Sequence, residues 1–144
     1  MIEFSKFGYA NFEIRREDWN AFELKDGSII LLKIVLVKVG QSEETEEDFD
    51  MKVNYRDILG LLPNPELCGE PSIKKYTRKE LEESIAEKDI DFKQVEDSWN
   101  EYKLKDGRLF YLKPILTMVS RTNKYNEIGE PIYLIQSQVL SKTK

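Results

Sequence analysis

The feature that most constrains this chain is that it contains itself twice. Phe12 to Val39 reads FEIRREDWNAFELKDGSIILLKIVLVKV, and 80 residues later Phe92 to Val119 reads FKQVEDSWNEYKLKDGRLFYLKPILTMV. The two segments align without a gap, with 11 of 28 positions identical. Trp19/Trp99, Asn20/Asn100, the Leu-Lys-Asp-Gly runs at 24–27 and 104–107, and Lys33/Lys113 are among the matched pairs. A chain of 144 residues has the length of one ordinary domain. We therefore expect residues 1–144 to form a single domain of two repeats, about 11–73 and 91–144, joined by a helix.

Each copy opens on a hairpin signal. Asp-Gly between apolar runs suits a type I′ turn, which needs positive φ at both central residues. Asp26, Gly27, Asp106 and Gly107 are thus assigned to turns. That turn sets Leu24 opposite Ile29, Phe22 opposite Leu31, Asn20 opposite Lys33 and Trp19 opposite Ile34. The second copy follows with Leu104/Leu109, Tyr102/Tyr111, Asn100/Lys113 and Trp99/Pro114. The strands Ile29–Val39 and Leu109–Val119 are apolar on both faces, as in a strand covered on both sides. Pro114, lacking an N–H, belongs at a bulge or an unpaired edge.

After the hairpins the copies diverge. Residues 40–52 hold six carboxylates and read as a loop. Val53–Leu62 reads as a third strand and Ile132–Leu140 as its counterpart after a loop over 121–131. A Gly-Glu-Pro triplet recurs at 69–71 and 129–131, out of register with the repeat. Between the copies, Thr77 and Glu80 fit a capping box, and Leu81 and Ile85 extend a helix over about 77–88. The fold class is mainly β, or α+β by strict count. Its expected form is a duplicated β-meander making a small pseudo-two-fold barrel or sandwich with one linking α-helix.

Composition removes several function classes. The chain has no histidine and one cysteine, Cys68. Histidine-dependent triads, the commonest general base, the commonest transition-metal ligand and any internal disulfide are excluded. No catalytic constellation, metal site or cofactor motif is recognisable, so the reading leans away from an enzyme. The acidic loop lacks the alternation and central glycine of an EF-hand. No apolar run reaches the length of a membrane span and the start lacks a signal peptide, so a cytoplasmic protein is expected. The Lys/Glu-rich composition hints at a thermophile.

The net charge of −5 is uneven: balanced over residues 1–39, −7 over 40–90 and +2 over 91–144. Three functional readings follow. The first is a non-catalytic binding or assembly module acting through a protein partner or its own copies. The second is RNA or single-stranded DNA binding through basic and aromatic residues of the second copy, Arg108, Tyr111, Arg121, Lys124 and Tyr125. The third is an anion pocket or carboxylate/lysine enzyme between the copies, with Lys33 and Lys113 as cations and Asn20 and Asn100 beside them. Each lysine sits within an apolar strand, and either snorkels to the rim or faces such a pocket. Trp19 and Trp99 are assigned to the core or a barrel end, with base stacking as the alternative.

An aromatic residue, Leu-Lys-Asp-Gly and a long apolar strand are superficially similar to the first half of the Sm-like RNA-binding fold. The likeness covers about fifteen residues per copy. The Arg-Gly element of that family's second motif is missing after either hairpin, so membership is not claimed.

Overall fold

The computed structural model describes residues 1–40 and 53–144; the acidic loop expected over 40–52 lies, apart from Gly40, outside the described residues. Among the described residues, ten strands and one short α-helix follow each other. They are β1 (Tyr9–Ala10), β2 (Phe12–Arg16), β3 (Asn20–Leu24), β4 (Ile29–Gly40), β5 (Val53–Leu62), α1 (Arg78–Glu82), β6 (Ile85–Glu87), β7 (Phe92–Glu96), β8 (Asn100–Leu104), β9 (Leu109–Tyr125) and β10 (Pro131–Thr143). The strands form two five-stranded antiparallel sheets. Sheet A holds β1, β4, β3 and β7, with β5 on the other side of β4; sheet B holds β10, β9, β8 and β2, with β6 against β9.

The first strand of each copy is exchanged. β2 pairs with β8 of the second copy, Phe12 opposite Leu104, while β7 pairs with β3 of the first, Phe92 opposite Leu24. The exchange is sealed beside each turn, where Lys25 N donates to Asp91 O at 2.8 Å and Lys105 N to Asn11 O at 3.2 Å. Neither hairpin completes its sheet from its own half.

The hairpin register differs by one residue from the sequence expectation. Asn20 stands opposite Leu32, Phe22 opposite Ile30, and in the second copy Asn100 opposite Leu112 and Tyr102 opposite Phe110. Within these two turns only the glycines have positive φ, 91° at Gly27 and 93° at Gly107. Leu24 N donates to Ser28 O and Gly27 N to Leu24 O, so the loop has three residues and ends on a glycine bulge. The aspartates cause this. Asp26 Oδ1 accepts from Ser28 N at 2.9 Å, and Asp106 Oδ1 from Arg108 N at 3.0 Å. This side-chain turn suits negative φ at Asp, and one left-handed residue suffices.

The core face of β4 carries Ile30, Leu32, Ile34 and Leu36, then Val39. The change of parity marks a bulge at Val37, between the pairs made by Leu36 and Lys38. A matching irregularity falls at Thr117 in β9, between Leu116 and Met118. An extra residue there turns Val39 and Val119 back to the core. Two apolar clusters result, each drawn from both copies. One gathers Ile34, Leu36 and Val39 with Tyr102, Leu104, Phe110 and Leu112. The other gathers Phe22, Leu24, Ile30 and Leu32 with Leu116, Val119 and Ile90.

On its β3 side β4 meets β3 at 29–32 and β1 at 39–40, and in between no strand among the described residues is paired with it. β9 likewise meets β8 at 109–112 and β6 at 121–122. The bond from Leu104 N to Arg108 O fixes backbone parity, so position 114 points its nitrogen toward this vacated side. Pro114 is therefore tolerated in the middle of a long strand, although β10 pairs it through Val139.

Three further expectations are corrected. The capping box of Thr77 and Glu80 is present, but the helix ends at Glu82. Ile85 instead joins β6 opposite Thr122, because the vacated edge of β9 offers it strand bonds. The expected loop over 121–131 is mostly strand, with β9 reaching Tyr125 and a turn at 126–130 held by Asn126. β4 is fully buried on one face only, with Ile29, Leu31 and Val35 on its other face half-buried, whereas β9 also buries Tyr111 on its second face. The two Gly-Glu-Pro triplets meet each other: Gly69 N donates to Gly129 O at 2.9 Å, and Gly69 lies against the Tyr125 ring.

Candidate binding surfaces

Asn20 and Asn100 are fully buried and do not face the lysines. Their register partners are Leu32 and Leu112, and the one-residue shift places each lysine on the opposite face of its sheet. Asn100 Nδ2 donates to Ile34 O at 2.8 Å and to Tyr102 Oη at 3.0 Å. Tyr102 donates in turn to Glu17 Oε1 at 2.7 Å, which also accepts from Leu36 N. These side chains satisfy the β4 backbone where no strand pairs with it. Burial, and the bond to Glu17, push the Tyr102 phenol far up. The network is internal structure that ties the two copies together.

Lys33 lies 5.6 Å from the centre of the Trp19 ring, and Lys113 lies 5.4 Å from that of Trp99. Lys113 is also paired with Asp97. Lys142 covers Trp99 at 4.3 Å and Tyr111 at 5.1 Å. The lysines thus stand on outward faces of different sheets, each with its own tryptophan. The structure does not bring them together, and neither tryptophan is a core residue: Trp19 is exposed and Trp99 half-buried.

The basic and aromatic residues of the second copy are dispersed. Arg108 is beside Asp106 at one end of β9, and Arg121 to Tyr125 are at the other, roughly 40 Å of extended chain away. Arg121 Nη1 bonds Asp26 Oδ2 and Glu87 Oε2, each at 3.0 Å. Asp26, whose side chain is 4% exposed, also accepts from Tyr133 at 2.6 Å. Burial raises the Asp26 carboxyl, but bonds from Tyr133, Ser28 and Arg121 outweigh it and hold the group below its usual range. Burial and the Asp26 bond push the Tyr133 phenol up to about 12. Asp26 therefore does more than close a turn, whereas Asp106 serves only its turn and Arg108. The cluster joins the first hairpin to β6, β9 and β10.

Two surfaces escaped the sequence reading. One is a cleft of about 300 Å³ lined by Ser72, Lys75, Tyr76, Asn126 and Ile132. Lys74 and Lys124 lie 5.1 and 5.7 Å from the centre of the Tyr76 ring. The Lys74-Lys75-Tyr76 run was its only sequence signal. The other is the outward face of sheet A. There Ile29, Leu31 and Val35 of β4 adjoin Ile58 and Leu62 of β5, which are 41% and 54% exposed. Among the described residues nothing pairs with the far edge of β5. Its signal was the run Ile58-Leu59-Gly60-Leu61-Leu62, apolar at both parities.

Among the described residues no group of three or more Cys, Asp or Glu side chains is placed to hold a metal ion. No described helix is long and apolar enough to cross a membrane. The chain matches no protein-family model, and no curated protein or solved structure is significantly similar to it.

Proposed function

We propose that this protein is a non-catalytic binding or assembly module that works through protein–protein contact at the outward face and open edge of sheet A. One observation carries the reading: β5 exposes Ile58 at 41%, Leu59 at 48% and Leu62 at 54% along an edge with no partner among the described residues. The other long edge provides the contrast. β10 shows Gln136, Ser137, Gln138, Ser141, Lys142 and Thr143 to solvent with Leu140, at 41%, the one large apolar residue exposed among them, and Lys142 shields Trp99 and Tyr111. Polar and charged side chains blunt an edge strand against pairing; on β5 the exposed ones are Arg56 and Asp57, followed by the apolar run from Ile58 to Leu62. Contiguous exposed apolar surface of this kind marks contact sites. In this reading residues 1–144 act as one unit, with the two copies completing each other's sheets.

The test immobilises the parent protein and an Ile58→Lys, Leu62→Lys double variant and offers each the host extract. Proteins retained by the parent and lost by the variant are expected. Identical retention by both would overturn the reading.

A second reading, single-stranded RNA or DNA, is favoured by the Tyr76 ring with Lys74 and Lys124 at 5.1 and 5.7 Å from its centre, an aromatic and two cations that could serve a base and its phosphate. Arg121 is occupied by Asp26 and Glu87, so Lys124 is the informative residue. Anisotropy with randomised oligonucleotides should show salt-sensitive binding that Lys124→Glu weakens. Parent protein indifferent to oligonucleotides at low salt would remove this reading.

A further inference from the structure

The open edge of β5 is chemically self-complementary in one register, and we infer that its occupant is a second copy of this chain, paired antiparallel about a two-fold axis through Ile58. The inference rests on the assembly reading above and names its partner.

Backbone parity defines what the edge offers. The bond from Leu24 N to Ser28 O turns residues 28, 30 and 32 toward β3, so residues 29, 31, 33 and 35 turn toward β5. Their partners on β5 are Leu62, Gly60, Ile58 and Arg56. The N–H and C=O groups of Tyr55, Asp57, Leu59 and Leu61 therefore point away from the sheet. A two-fold pairing must set outward residues against outward residues, so the numbers of facing residues add to an even total.

Few registers remain, and charge separates them. Centring on Arg56 sets the two guanidinium groups opposite each other, and centring on Asp57 does the same for two carboxylates; like charges directly opposite destabilise a sheet. Centring on Tyr55 or Leu59 leaves a shorter ladder. Centring on Ile58 faces Ile58 with its own copy, Tyr55 with Leu61 of the second copy and Asp57 with Leu59 of the second copy. Arg56 then faces Gly60 of the second copy. A glycine there presents no side chain to the guanidinium, and the nearest atoms to that position belong to Leu31. All four outward residues are bonded, no like charges meet, and the aromatic–aliphatic pairs are favourable.

The paired strand of about nine residues is about 30 Å long, and an edge contact of that size belongs to the small, reversible class of interfaces. The expected species is a monomer–dimer equilibrium rather than an obligate dimer.

Sedimentation over a concentration series should show the mass rising from 17.0 kDa toward twice that value. Leu59→Pro removes an outward N–H without touching the β4 ladder, and should hold the mass at the monomer value. Ile58→Glu, at a position already exposed, sets two carboxylates together on the axis and should do the same if the proline variant fails to fold. Facing residues not bonded to each other across an antiparallel pair lie about 4.5 Å apart at Cα, within disulfide reach. With the exposed Cys68 replaced by Ser, Ile58→Cys should therefore oxidise to a covalent dimer and Leu62→Cys should not. A parent that stays monomeric at every concentration, or a dimer indifferent to all these substitutions, would overturn the self-pairing. The capture experiment then decides the broader reading separately, because a monomeric parent that retains host proteins through Ile58 and Leu62 keeps it standing.

Discussion

Asn20 and Asn100 each take a backbone hydrogen bond from the residue two places before the other. Ser98 N donates to Asn20 Oδ1 at 2.9 Å, and Asp18 N donates to Asn100 Oδ1 at 3.1 Å. Both amides are fully buried, and both bonds bridge the two copies where their first strands change sheets. A single copy could make neither.

Asn100→Ala should be the most damaging polar truncation in the core. It strips Ile34 O and Tyr102 Oη of a donor and Asp18 N of its acceptor. Leaving such groups buried and unpaired costs about 2–4 kcal/mol in total. Urea unfolding should show a lower midpoint with an unchanged slope. A midpoint equal to that of the parent would mean that the amide is dispensable.

The two turn glycines make a controlled pair. Gly27 and Gly107 have nearly the same φ, 91° and 93°, but a Cβ on Gly27 would come within 2.8 Å of Asn64 Nδ2, while one on Gly107 meets nothing within 4 Å. Gly107→Ala should cost only the left-handed backbone term, about 1–2 kcal/mol. Gly27→Ala should cost measurably more, because Asn64 must give up its bond to Asp26 O. Equal losses would show that Asn64 moves aside freely.

The same turns show what local reading can reach. The long apolar runs marked β4 and β9, and the Asp-Gly pairs marked the reversals. The register failed by one residue because Asp26 Oδ1 binds Ser28 N, an interaction two residues long that outweighs the dipeptide's preference for a type I′ turn. That single shift also misplaced Asn20 and Asn100 beside the lysines. The exchange of β2 and β7 was illegible for a different reason: Phe12 pairs with Leu104, and nothing near Phe12 encodes so distant a partner. Among the site residues, composition grouped Arg108 with Arg121, although the length of β9 separates them. Tyr111, named as a nucleic-acid contact, is buried and lies under Lys142. The doubly apolar strand β4 was correctly noticed, but its second face was read as covered when Ile29, Leu31 and Val35 there are only half-buried.

Acid should reveal the Asp26 cluster. Its carboxyl is held below the unfolded value of about 4, so its contribution is fully present above that pH and is lost as pH falls through the folded value. Asp26→Asn should lower stability at neutral pH and flatten the acid side of the stability profile below about pH 4. Asp106→Asn, which leaves the Tyr133 and Arg121 bonds intact, should leave that limb steep. At the alkaline end Tyr133 acts in the opposite sense. Its phenol is raised to about 12, so the stability it adds is complete below pH 10 and fades as pH rises through 12. Two profiles with the same acid slope for Asp26→Asn and the parent would remove the cluster from the account.

The strand exchange makes a prediction about the halves themselves. Residues 1–73 alone would contain β3 and β4 but lack β7, which pairs with β3, and Leu116 and Val119, which pack on Phe22, Leu24 and Ile30. Residues 74–144 would lack β2 and the group Ile34, Leu36 and Val39 that covers Tyr102 and Phe110. Each half would expose the apolar face of its central strand and two orphaned amide groups, Asn20 or Asn100 with the backbone each should bond. Neither should show cooperative unfolding by circular dichroism when produced alone. Mixed, they should recover a single cooperative transition, because every missing strand is supplied by the other piece. A half that folds alone would mean that the sheet can close on its own first strand, and that the exchange is a choice between two pairings of similar energy.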